Sequence, residues 1–101
     1  MRINKGLSVA LCLVASTAVA KQDKEAYQDC ILSSASQAED SAAASIMTNA
    51  CHRLYIDNFM LSSKDQDYFQ CLLDYLPDVK KRSAAVQVQQ TCDRKHRSLF
   101  N

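Results

Sequence analysis

The sequence predicts an all-α fold, a small disulfide-stapled bundle of two tandem helical hairpins. Four cysteines are evenly spaced along it: Cys30, Cys51, Cys71 and Cys92. The two outer pairs each span 21 positions and the units repeat every 41 positions, and a fixed period of this kind is the signature of a repeated supersecondary unit. Apolar residues recur at intervals of three and four, as on one face of a helix. The only glycine is Gly6, and the chain has few alternating β-branched residues, so we do not expect a sheet.

The repeat extends beyond the cysteines. In both units a tyrosine precedes the first cysteine by three positions, and an alanine pair lies at equivalent places, 43–44 and 84–85. We therefore expect a single helical domain, residues 21–101, made of two repeats of about 41 residues that span 21–61 and 62–101.

Residues 1–20 have the layout of a secretory signal peptide. Arg2 and Lys5 supply a positive start, residues 7–15 an apolar run, and residues 18–20 a small-residue cleavage site. The apolar run is shorter than the roughly 20 residues that a membrane span requires, and no later stretch approaches that length. The short, alanine-rich signal is typical of bacteria. We therefore expect a periplasmic or secreted bacterial protein with no transmembrane span in the mature chain.

The first hairpin is expected to contain two helices. Residues 21–35 carry apolar side chains at helical spacing, with Asp23 and Glu25 in the first turn, where negative charge suits the helix dipole. Either Asp40 or Ser41 can act as the N-cap of the second helix. Its apolar stripe is the most regular in the chain and predicts a helix of about 18 residues.

The second hairpin is expected to contain the third and fourth helices. Ser63, followed by Gln66, predicts a capping box that opens the third helix. That helix should stop at Leu76, because Pro77 disfavours helical geometry in the residue before it. Pro77 and Asp78 are both favoured near helix N-termini, so the fourth helix is expected to begin there.

Four cysteines allow three pairings, and the sequence alone does not decide between them. Duplication of one hairpin favours Cys30–Cys51 with Cys71–Cys92, because each copy then keeps its own bridge. A disulfide needs Cα atoms within about 7 Å, and the small residues at 42–44 and 83–85 permit that close approach in both copies. The pairing Cys30–Cys92 with Cys51–Cys71 remains open. Each bridge within a hairpin would contribute roughly 3 kcal/mol in the chain-entropy model.

Charge is distributed unevenly along the chain. Residues 21–78 hold four basic and ten acidic side chains, whereas residues 79–101 hold six basic and one acidic. The formal net charge of the whole sequence is only +1, which gives no reason to expect nucleic-acid binding.

Three basic residues close the chain after Cys92: Arg94, Lys95 and Arg97. One interpretation is structural, because positive charge at a helix C-terminus suits the dipole and neutralises the acidic helices beside it. The other is functional: these side chains are a possible contact with an anionic partner, either an unknown protein or an envelope component.

The function predicted is that of a non-enzymatic binding or interaction module. No catalytic or cofactor site is expected, because the chain has no G-x-S-x-G elbow and no C-x-x-C pair. The alternative is a metal- or thiol-handling protein that uses the cysteines, with His52 and His96 as neighbours that can bind metals. We expect no metal, because secreted thiols normally oxidise to disulfides.

The mature protein is expected to start at Lys21, because residues 18–20 form the only well-placed cleavage site. Intact mass of the exported protein measures this directly. Retention of residues 1–20 in the periplasmic fraction would contradict the signal-peptide interpretation.

Overall fold

The computed structural model describes residues 22–98, so the predicted signal peptide and its cleavage site lie outside the described residues. Within this range the chain forms four α-helices and no strand, which confirms the all-α prediction. The helices are, in order, α1 (Lys24–Ser33), α2 (Ser41–Tyr55), α3 (Ser63–Tyr75) and α4 (Arg82–Arg97). A short 3₁₀ turn, Ala35–Gln37, follows α1.

The disulfides pair within hairpins. Cys30 is bonded to Cys51, with Cα atoms 5.8 Å apart, and therefore joins α1 to α2. Cys71 is bonded to Cys92, with Cα atoms 5.9 Å apart, and joins α3 to α4. The favoured pairing is confirmed, and the alternative pairing of Cys30 with Cys92 is wrong. All four cysteines are buried.

Side chains cap the first three helices. Asp23 accepts a hydrogen bond from the backbone N–H of Ala26, and Asp40 accepts one from Ala43, both at 2.9 Å. Asp40 rather than Ser41 is therefore the cap of α2. Carboxylate caps satisfy backbone donors that the first helical turn leaves unpaired.

The expected cap of α3 is wrong by one residue. Ser62, not Ser63, is the N-cap: its hydroxyl accepts from the backbone N–H of Asp65 at 3.1 Å. Its backbone is extended, as is typical of an N-cap. Ser62 is followed three positions later by the acidic Asp65, and Ser63 by the amide Gln66, so either serine can open a capping-box-like pattern. Adjacent serines make the two positions indistinguishable by local pattern.

The expected start of α4 is also wrong. Pro77 and Asp78 lie in a turn, in which the N–H of Val79 donates to the carbonyl of Leu76 at 3.0 Å. The helix begins only at Arg82. Proline is as favourable in a turn as at a helix start, and the fully buried Leu76 anchors this turn to the core.

Helix α2 has 15 residues, shorter than expected. The carbonyl of His52 accepts from the N–H groups of both Ile56 and Asp57, which ends the regular ladder. The side-chain amide of Asn58 then donates to the carbonyl of Leu54 at 3.1 Å. These bonds satisfy carbonyls that the end of the helix would otherwise leave open.

Helix α2 is the centre of the packing. It contacts α1, α3 and α4, whereas among the described helices α1 contacts only α2 and the 3₁₀ turn. The architecture is thus a three-helix unit with α1 attached to its outer side. The buried residues that form the core cluster come mostly from α2 and α3: Ala35, Ala43, Met47, Ala50, Tyr68, Phe69, Cys71, Leu72, Leu76, Ala85 and Cys92. None of the four helices in residues 22–98 combines the length and apolar character needed to cross a bilayer.

The two hairpins differ at one equivalent cap. Ser41 and Arg82 lie 41 positions apart and begin α2 and α4. The residue before Ser41 is the cap Asp40, but its counterpart Lys81 makes no side-chain cap hydrogen bond. A lysine also places positive charge at the positive end of the helix dipole.

Replacing this lysine should stabilise the protein. Lys81→Asp is expected to raise the free energy of unfolding by about 1 kcal/mol, because aspartate can accept from the first-turn N–H groups. The melting temperature should rise by roughly 4–8 °C. Lys80→Asp is the control, since it makes the same charge change one residue before the cap. Equal gains from both variants, measured by thermal and urea unfolding, would show that capping contributes nothing.

Candidate functional site

The turn between α2 and α3 carries two exposed apolar side chains. Phe59 is 66% exposed and Met60 is 84% exposed. They occupy the central positions of a turn closed by a 3.3 Å hydrogen bond from the N–H of Leu61 to the carbonyl of Asn58. We call Phe59 and Met60 the apolar tip. Within the described residues these two side chains therefore gain little burial.

Met60 also has an unusual backbone. Its φ is 59°, and it is the only non-glycine residue with positive φ between residues 22 and 98. Glycine or asparagine usually occupies such a turn position, because a Cβ atom clashes with the backbone there. The conformation costs a non-glycine residue about 1–2 kcal/mol. Methionine here is therefore favoured neither by its backbone nor by burial, and outliers of this kind cluster at functional sites.

Both ends of the turn are held in place. On the α2 side, Asn58 donates to the carbonyl of Leu54. On the α3 side, Leu61 packs partly buried against the core cluster and Ser62 caps the helix. The apolar tip is thus presented by an anchored turn, so little ordering remains to be done on binding.

Arg94, Lys95 and Arg97 lie in the last turn of α4, and we call them the basic end. The basic end lies at the same end of the bundle as the apolar tip. Arg97 Nε is 3.2 Å from Asp65 Oδ1, in the first turn of α3, and 3.5 Å from Asp93 Oδ1. Its guanidinium carbon is 4.3 Å from the centre of the Tyr68 ring. These contacts fix the last turn of α4 against the start of α3, which directly follows the apolar tip.

Arg97 has a structural role, because its contacts hold the end of α4 against α3. Its ion pairs are partly exposed, so each is worth a fraction of a kcal/mol, and the contact with the Tyr68 ring adds a similar amount. Arg94 and Lys95 line two separate hollows, and Asp67 is also among the residues that line the one with Lys95. Contact of Arg94, Lys95 and Arg97 with a partner stays a prediction.

A second apolar surface lies between α1 and α2. Leu32 is 64% exposed and borders an open groove of about 420 Å³ together with Tyr27, Ile31 and Thr48. Unlike the apolar tip, this groove sits on regular helices and shows no backbone strain.

A polar cleft of about 470 Å³ separates α1 from α3. Asp29 and Asp74 lie on its two walls, with Gln70 and Tyr55 beside them. Ser34 also lines it, but its buried hydroxyl donates to the carbonyl of Cys30 and lies 3.6 Å from Cys51 Sγ. The cleft exists because α1 packs only on α2 and leaves its α3-facing side open.

The four predicted cysteine sites are all engaged in disulfides. Of the two histidines, His52 stands edge-on to the Tyr27 ring with centroids 6.3 Å apart. His96 lines a hollow beside Cys71. Within residues 22–98 no group of three or more histidine, cysteine or acidic side chains is placed to hold a metal ion.

Sequence reasoning missed the apolar tip as a site. The signal present was a pair of large apolar residues in the stretch where the helical polarity pattern breaks, between Asn58 and Ser63. The left-handed conformation gave no signal, because position 60 is neither glycine nor asparagine.

The fold and its bridges define a class, small all-α proteins stabilised by two disulfides within helical hairpins. The family model described as "Four-cysteine protein VF_A0006-like" matches residues 7–96, and the chain therefore belongs to this family. No curated protein matches the chain, and no solved structure matches it.

The strain at Met60 can be measured with two substitutions. Met60→Gly should be more stable than Met60→Ala by about 1 kcal/mol, since relief of roughly 1–2 kcal/mol of steric cost exceeds glycine's entropy in the unfolded chain. The measurement is the free energy of unfolding in urea.

Position 64 supplies the matched control. Lys64 is exposed in the first turn of α3, where alanine should be more stable than glycine by up to about 1 kcal/mol. The sign of the glycine–alanine difference should therefore reverse between positions 60 and 64. The same sign at both positions would show that the turn at Met60 is unstrained.

Proposed function

We propose that the protein is an exported, non-enzymatic binding module that inserts its apolar tip into an apolar pocket of a protein partner. The observation that carries this proposal is Met60, an 84% exposed apolar side chain held in left-handed backbone. Selection for stability alone would favour a small polar residue or glycine at this position.

Export is supported by the cysteines and by the predicted signal peptide at residues 1–20. Disulfides within a chain form and persist in oxidising compartments such as the bacterial periplasm. A domain of this size has a marginal core, and two bridges of roughly 3 kcal/mol each are comparable to its whole net stability. The protein accordingly works in the periplasm or outside the cell.

The chemistry of the apolar tip fits a protein pocket. Aromatic residues and methionine are enriched at protein interfaces, and strong anchors sit in desolvated pockets. Full burial of side chains as large as Phe59 and Met60 contributes about 1.5–3 kcal/mol each. Because the turn is already anchored, less of this is lost to ordering the loop.

The charges beside the apolar tip indicate the kind of partner. Arg94, Lys95 and Arg97 close α4 at the same end of the bundle, where they can face an acidic rim around the partner's pocket. Rim charges mainly raise association rates and make them salt-dependent. The partner proposed is thus a protein with an apolar pocket and an acidic rim.

The metal- or thiol-handling alternative requires thiolates. All four cysteines of residues 22–98 are in disulfides, so that function would begin only after reduction. Among the described residues, no group of three or more histidine, cysteine or acidic side chains is placed to hold a metal ion.

Photo-crosslinking tests the proposal. A photoreactive phenylalanine analogue at position 59 should yield one dominant adduct in the envelope of the native host, which mass spectrometry then identifies. The same analogue at Gln87, an exposed position on α4 far along the chain from the apolar tip, is the matched control. Equal adducts from both positions would contradict a contact centred on the apolar tip.

The identified partner is then purified and titrated. Replacing Phe59 and Met60 together by serine should weaken binding by a factor of about 100, which corresponds to about 2.8 kcal/mol. Replacing Arg94 and Lys95 by glutamine should instead reduce the association rate and its salt dependence. Unchanged affinity of the serine variant, with its helix content intact, would rule out the apolar tip as the binding site.

A further inference from the structure

The methionines of the chain have opposite environments. The sequence contains Met1, Met47 and Met60. Met47 is fully buried at the centre of the core cluster, whereas Met60 projects from the apolar tip. Met1 lies outside the described residues. Within residues 22–98 the chain therefore carries one buried thioether and one on a side chain that is 84% exposed.

We propose that Met60 is a modification site, oxidised selectively by peroxide-class oxidants to methionine sulfoxide. A lone pair of the thioether sulfur attacks one peroxide oxygen. The S–O bond forms as the O–O bond breaks, and the other oxygen leaves as water after taking up the proton that the transferred oxygen gives up. The sulfur loses two electrons and the peroxide gains them, so no further reactant is needed.

Accessibility makes the reaction selective. Oxidation follows exposure of the sulfur, and Met60 needs no conformational change to meet the oxidant. Met47 is fully buried in the same core cluster as Ala43 and Leu72, so it reacts only when the bundle opens. The two disulfides suppress that opening because each holds a hairpin closed.

Competing targets are few within the described residues. Free cysteine thiolates are the most reactive side chains toward peroxide, but all four cysteines between residues 22 and 98 are in disulfides. The sequence also contains no tryptophan. An oxidant that reaches this domain therefore finds Met60 as its most accessible soft nucleophile.

The modification changes the character of the apolar tip. A sulfoxide is polar and chiral where the thioether is apolar and flexible. Met60 is not part of the core cluster, so the fold is retained while the exposed apolar surface shrinks. Resting on the proposed function, we infer that oxidation of Met60 weakens the contact with the partner's pocket, which makes binding sensitive to oxidants.

Peroxide treatment of the purified, disulfide-intact protein tests the site without any partner. Peptide mass mapping should show one added oxygen on the Met60 peptide at a rate at least about tenfold that of the Met47 peptide. Met60→Leu should abolish the fast addition, and Met47→Leu should retain it. Similar rates for the two peptides, or slow oxidation of Met60 while circular dichroism stays helical, would overturn the proposal.

A second measurement reports the change in surface character. Singly oxidised protein should be retained less on a phenyl-agarose column than untreated protein, with helix content unchanged. Peroxide-treated Met60→Leu should be retained as strongly as its untreated form. Unchanged retention of the oxidised wild type would overturn the inference that oxidation alters the apolar tip.

Affinity for a partner separates this inference from the proposed function. Oxidation of wild type should weaken partner binding about tenfold, and the same treatment of Met60→Leu should leave binding unchanged. Selective oxidation together with failure to find any partner contact at the apolar tip would refute the proposed function and leave the modification site standing.

Discussion

The bond between Cys30 and Cys51 is the constraint on which the architecture depends most. Helix α1 packs against α2 and the 3₁₀ turn, and it brings mainly the partly buried Ile31 to the core cluster. A backbone hydrogen bond from Asp23 to the carbonyl of Tyr55, 2.8 Å long, adds a tie at the start of the helix. So little buried apolar surface holds a helix weakly, whereas closing a loop of about 20 residues contributes roughly 3 kcal/mol. The Cys30–Cys51 disulfide therefore supplies stability that the small buried apolar surface of α1 does not.

The equivalent disulfide of the second hairpin, Cys71–Cys92, has different surroundings. Cys71 and Cys92 belong to the core cluster, where α3 and α4 also pack against α2. Equivalent positions of the repeat consequently have different surroundings: Ala50 is fully buried, whereas Thr91, 41 positions later, is exposed. The second helix of the first hairpin is thus central, whereas the second helix of the second hairpin is peripheral. The open side left by α1 is the polar cleft along α3.

The helical spacing of apolar residues predicted the class of fold, and the period of the cysteines favoured the disulfide pairing that the structure shows without excluding the alternative. Local ambiguity limited the rest. Ser62 and Ser63 both suit a capping pattern, and it is Ser62 that makes the cap hydrogen bond. Pro77 suits a turn as well as a helix start, and it lies in a turn next to the buried Leu76. The attachment of α1 to one helix only is a tertiary property that no local period encodes. The positive φ of Met60 is imposed by a turn held at both ends, against the preference of the residue itself.

The apolar tip and the basic end lie next to each other but affect different rate constants of binding. Arg97 is held by Asp65 and Tyr68, which places the last turn of α4 beside the turn that carries Phe59 and Met60. Charges at a rim act during approach, over about 8 Å at physiological salt, and so set the association rate. Apolar side chains act only after desolvation in a pocket, and so set the dissociation rate. A change in apolar character at the tip, such as oxidation of Met60, therefore shortens the lifetime of a complex and leaves its rate of formation nearly unchanged. Increased salt instead lowers the association rate and leaves the dissociation rate nearly unchanged. The two effects can therefore be separated by measuring both rate constants.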